Sequence, residues 1–170
     1  MKIINQTSEI LNQTVNLIDS LSQAEYTKPL NVLNDTSVGQ HFRHIIEFYV
    51  ELINGYEKNL ICYDDRKRNT DFETNQNNII SKFKAINNKI KSFNLNKSIT
   101  VKSNHGIDKE GDSLSQSSVL RELIYALDHT VHHLAIIKIA IQTEYKHINL
   151  DPNLGVAPST IKNNLKLCAQ

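Results

Sequence analysis

His129 and His133 lie four residues apart in ALDHTVHHLAIIKIAI, and His44 lies in SVGQHFRHIIEFYVELI. On a helix, residues four apart sit one above the other on the same face. Two imidazoles in that relation can close on one metal ion. A third from a neighbouring helix leaves a coordination position open for water or substrate, as in catalytic rather than structural sites. A lone histidine on an apolar face is usually only packing. Here, five of the chain's seven histidines (His41, His44, His129, His132 and His133) fall in two short windows. Packing alone explains that concentration poorly, because each buried imidazole needs hydrogen-bond partners.

Rotation at about 100° per residue sorts them. His129 and His133 share a side with Ala126 and Ala140, whose small side chains leave room for an ion and a substrate. His132 points roughly a quarter-turn away, toward Arg121 and Asp128, and is expected beside the ligands or at the surface. His41 and His44 both flank the Phe48 face, and rotation leaves either able to reach across. Glu47 and Glu122 are candidates for orienting a ligand or moving a proton. They read equally well as plain surface carboxylates. His105 and His147 read as surface histidines. The Arg66-Lys67-Arg68 run reads as a solvated loop, with an anion-binding lip as the alternative. Cys62 reads as a free loop cysteine, and with Cys168 it forms no CxxC pair. HTVHH lacks the glutamate of a metalloprotease HExxH helix. Only EYKH (Glu144 to His147) fits the Glu-x-x-His pattern that a di-iron bundle needs twice. No G-x-S-x-G opens a serine triad.

Four helices must position these groups. The first is expected from Thr7 to Gln23, capped by Thr7 or Ser8 and stopped before Pro29. The second starts with Asp35 or Thr36 as N-cap and runs to about Gly55. A charged loop, LICYDDRKRNTDF, follows. The third runs from about Glu73 to Phe93 on a stripe of Ile79, Ile80, Phe83, Ile86 and Ile90. Residues 94–117 read as an exposed excursion with room for a short extended pair. The fourth starts at Ser117 or Ser118 and runs to about Thr143. It is apolar around much of its circumference and so central to the bundle. The tail offers a last helical turn or two after Pro158. The expectation is therefore an all-α four-helix bundle in one domain over residues 1–170, with the bundle at about 5–145 and a tail at 146–170.

Charge supports this reading. Nineteen basic and eighteen acidic residues leave a formal +1, which gives no reason to expect nucleic acid or an anionic membrane as partner. No apolar run approaches the roughly 20 residues of a membrane span. MKIINQTSEILNQTVNLI has no signal-peptide core, so a cytoplasmic location is the default expectation.

SVGQHFRHI and LDHTVHHLAII, in this order and helical context, resemble the DinB-like superfamily. That resemblance spans the first helix through about Thr143. It implies a four-helix bundle whose metal ligands match His44, His129 and His133, with His41 competing for the first position. The family includes transferases and isomerases using low-molecular-weight thiols. Related domains help form the iron site of sulfoxide-forming enzymes of thiol-histidine biosynthesis, and several members form homodimers. The resemblance thus implies a divalent-metal-dependent enzyme, a thiol S-transferase or related hydrolase or isomerase, acting on a small molecule. Imidazole ligands suit Zn, Ni and Fe alike. The alternative is a non-enzymatic metal-binding, stress-response-type bundle acting as a dimer. A third reading has the histidines only packing.

Overall fold

The computed structural model describes residues 2–104 and 111–167. His105 and Cys168 lie outside them. Helix α1, Lys2–Asp19, buries Ile4, Leu11, Leu17 and Ile18 along one stripe. Thr7 and Thr14 share that buried stripe because their hydroxyls donate back to Ile3 O (2.9 Å) and Ile10 O (2.8 Å). Thr7 is thus inside the helix and does not cap it. The helix also stops short of Gln23. Ser22 and Glu25 form a capping box that starts a separate short helix, α2, Gln23–Thr27.

Helix α3, Val38–Lys58, opens on a second capping box, in which Ser37 accepts from Gln40 N and Gln40 accepts from Ser37 N. Ser37, not Asp35 or Thr36, is the N-cap. Gly39, in its first turn, must be glycine for steric reasons. A Cβ there would lie 2.4 Å from Glu73 O. The expected third helix divides into a short turn, α4, Asp71–Thr74, and α5, Gln76–Ile90, with Asn75 capping the second part. Helix α6, Val119–Glu144, starts where expected, with Ser118 accepting from Arg121 N. A final helix, α7, spans Pro158–Leu167 and is longer than the expected turn or two.

Helix α1 packs on α5, and α3 packs on α6. These four long helices enclose a core that includes Phe42, Ile45, Tyr49, Leu52, Phe83, Leu123, Leu134 and Ile141. A fully buried hydrogen bond crosses the α3–α6 interface. Thr130 donates to Ala126 O (2.7 Å), so its oxygen is left to accept from the buried Tyr49 hydroxyl at 3.0 Å.

The chain is mostly helical, but it is not all-α. A three-stranded sheet joins β1, Leu60–Cys62, β2, Ser98–Ser103, and β3, Ser113–Ser118. Strand β1 runs parallel to β2 and β3 antiparallel to it. The charged loop therefore begins as a strand, with Cys62 half-buried in it. The 94–117 excursion supplies the hairpin arms. No helix among the described residues is long and apolar enough to cross a membrane.

The tail is docked. Leu154 is buried, and Gly155 has φ +68 with a Cβ position only 2.4 Å from Ala135 N. Lys138 Nζ donates to Pro152 O at 2.6 Å. The tail thus rests on the stretch of α6 just past His133.

Candidate metal centre

Helix α3 contributes His41 and His44, and α6 contributes His129 and His133. The structure brings His44, His129 and His133 together, each offering a ring nitrogen within 4.8 Å of the others. Their ring centroids form a near-equilateral triangle with sides of 4.9, 4.6 and 4.6 Å. His44 Nε2 and His129 Nε2 face each other at 3.0 Å. Two nitrogens each 2.0–2.1 Å from one tetrahedral ion would be separated by roughly 3.3 Å, so this pair is spaced for a small divalent ion, with His133 close enough to join it.

Burial keeps these imidazoles neutral. It is the main cause holding His44 and His129 down at about 4 and His133 at about 3, against an ordinary value of 6.5. Nearby positive charge adds to it: for His44 and His133 chiefly the His129 ring, for His129 chiefly His132. A neutral imidazole is the form that binds a metal ion.

His41 stands outside the triangle, and its hydrogen bonds explain why. The Thr36 hydroxyl donates to Leu33 O at 2.7 Å. Its oxygen must then accept from His41 Nε2, 3.3 Å away. That leaves His41 Nδ1 bare. His133 Nδ1, at 3.2 Å, must carry the proton and donate to it. The lone pair of His133 is thereby fixed on Nε2. This relay orients a ring and sets its tautomer, the usual task of groups that hold a metal-binding histidine. Thr36, read from sequence as a helix cap, is its anchor.

The other ring is held by stacking. Phe48 lies 3.9 Å from His129 and 5.0 Å from Tyr63, centroid to centroid, stacked on both. Glu122 supports this stack from behind. It is buried and accepts from the Tyr63 hydroxyl (2.9 Å) and Ser117 Oγ (2.6 Å). Glu122 is therefore not a surface carboxylate, and it reaches the His129 ring through Tyr63 and Phe48 rather than by direct contact. Glu47 is also buried. It accepts from Asn69 N (2.9 Å) and sits between Arg43 (3.5 Å) and Arg66 (3.7 Å). Arg43 also pairs with Glu73, and Arg66 lies over the Phe48 ring at 5.5 Å. Glu47 thus ties the 63–70 segment down beside α3.

His132 is exposed, its ring 5.3 Å from His133. His147 is exposed and pairs with Glu25 at 3.1 Å. Burial pushes the Cys62 thiol above its ordinary value, which disfavours the reactive thiolate.

A cavity of about 290 Å³ opens onto the histidines, lined by Thr36, Gln40, His41, Arg43, His44, Arg68 and His133. The basic run is therefore divided. Arg66 joins the buried cluster, while Arg68 lines the histidine pocket. A larger cavity of about 560 Å³ lies behind the aromatic stack, between the sheet and the start of α6, with Tyr63 and Tyr125 in its wall.

No protein-family model and no curated protein sequence matches the chain. Among solved structures, it is similar to YjoA, a DinB-like protein from Bacillus subtilis. The TM-score is 0.61 at 17% identity, over 91% of this chain and 99% of the other. The fold of this chain is thus the DinB-like fold, and it carries a three-histidine cluster compatible with metal binding.

Proposed function

We propose that this protein is a divalent-metal-dependent enzyme that transfers a small thiol to an electrophilic small molecule. The observation that carries this reading is a triangle of neutral histidines, two of which, His44 and His133, line an open pocket. His44, His129 and His133 would hold the ion, which could be Zn, Ni or Fe. Bound by three neutral imidazoles, the ion keeps its full charge and favours the ionised form of a thiol or water brought to it.

The protein's own groups do the rest. His41 keeps the His133 Nε2 lone pair available. Phe48 stops the His129 ring from turning. The open side of the pocket lets a thiol proton leave to solvent. The resulting sulfur nucleophile forms a bond to the electrophilic carbon, and the leaving group departs with its electron pair. Among the described residues, no carboxylate lines this pocket, so no acid–base side chain is assigned. The same parts would serve a hydrolase with water as nucleophile.

Metal analysis of the purified protein beside His133→Ala tests the centre. About one equivalent in the first and little in the second is expected, and equal content in both would sink the reading. Turnover of a thiol and an electrophile by the metal-loaded protein tests the reaction.

A further inference from the structure

The histidine pocket has a one-sided charge pattern. Two guanidinium groups, Arg43 and Arg68, line it, and no acidic residue does among the described residues. Arg43 is committed, since Glu73 and Glu47 both pair with it. Arg68 is exposed and has no ion-pair or hydrogen-bond partner among the described residues, and it faces the same small cavity as His41, His44 and His133. Gln40 is half committed. Its Oε1 accepts from Ser37 N in the capping box, while its amide Nε2 has no hydrogen-bond partner among the described residues. The pocket thus has an uncommitted planar cation and an uncommitted N–H donor beside three neutral imidazoles.

We infer that this pocket selects substrates bearing a carboxylate, held by Arg68 and Gln40 Nε2 while the rest of the molecule reaches the histidines. The inference rests on the proposed metal centre and names the substrate class it accepts. A guanidinium matches a planar carboxylate with two parallel N–H···O bonds. A single free guanidinium suits one carboxylate better than a phosphate monoester, which spreads up to two charges over three oxygens.

The test uses two probe thiols of similar size, 3-mercaptopropionate and uncharged 2-mercaptoethanol. Their binding to the zinc-loaded protein is measured calorimetrically for wild type, Arg68→Ala and Arg68→Lys. The acid is expected to bind wild type about tenfold more tightly. That preference should shrink to about twofold in Arg68→Ala and recover in part in Arg68→Lys, with zinc content equal in all three. An unchanged preference in Arg68→Ala overturns the inference, because it would then reflect the thiol's own chelation. Inorganic phosphate displacing the acid more strongly than acetate overturns the carboxylate assignment. A protein that takes up no zinc refutes the metal reading instead. The carboxylate site is then read in the metal-free chain, where a shift of the Arg68 amide resonance on adding propionate supports it and no shift overturns it.

Discussion

His41 and His133 meet nitrogen to nitrogen, Nδ1 to Nδ1 at 3.2 Å, and the direction of that bond is set three steps away at the Leu33 carbonyl. Removing His41 leaves the three candidate ligands in place but frees the His133 ring to turn and to change tautomer. His41→Ala is expected to weaken zinc binding by roughly 10–100-fold, and Thr36→Val by less. Competition against a chromophoric chelator reads both. Undiminished affinity in His41→Ala would mean that the relay does not serve the metal centre.

The depressed histidines predict the pH dependence of the metal-free protein. His44 and His129 stay neutral down to about 4 and His133 to about 3, whereas in the unfolded chain they protonate near 6.5. Between those values the unfolded state binds more protons, so stability rises with pH. The contribution is fully present above about pH 6.5 and is lost as pH falls toward 4. Thermal melts at pH 7.5, 6, 5 and 4 should show a falling Tm, and a variant with all three histidines replaced should show a flatter profile. Parallel profiles would contradict the prediction.

Glu47 carries the only carboxylate between Arg43 and Arg66 among the described residues, and it is 3% exposed. Its removal leaves Arg66 without a carboxylate partner, Arg43 with Glu73 alone, and the Asn69 N–H without its acceptor. Glu47→Ala is expected to cost about 3 kcal/mol in urea unfolding. It should also loosen the 63–70 segment, seen as faster amide exchange at Asn69. A loss below about 1 kcal/mol would place Glu47 among ordinary surface pairs.

Gly155 combines a positive φ with backbone contact against Ala135. Gly155→Ala meets both obstacles and is expected to destabilise by about 1–3 kcal/mol. Limited proteolysis should then cut the tail first. A neutral result would show that the tail is not held against α6 in solution.

Much of the helical frame was legible in the sequence, because period and caps are local. Ser118 caps α6 as its side chain and spacing suggested, and the shared face of His129 and His133 follows from one helix alone. The sheet was legible only in part: residues 94–117 left room for the short extended pair that β2 and β3 form, but the third strand, β1, did not show. Strand β3, SLSQSS, is polar and largely exposed, so it carries no alternation, and β1 is three residues long with a partner 40 residues away. Helical geometry alone did not separate His41 from His44, and only the family resemblance favoured His44. Rotation allowed both to reach α6, and what distinguishes them is tertiary: a threonine hydroxyl that takes the far nitrogen of His41. Arg68 gave a weak signal, since its basic run suggested an anion-binding lip without showing which of three cations would face inward.

The Tyr49–Thr130 bond has a consequence for how the histidines are aligned. An interface made only of aliphatic side chains would let α3 and α6 slip along their axes by fractions of a residue at little cost. The bond between Tyr49 and Thr130, the residue next to His129, resists that slip. The same bond thus helps hold the two helices in the register that sets His44 opposite His129, like a pin through two rails.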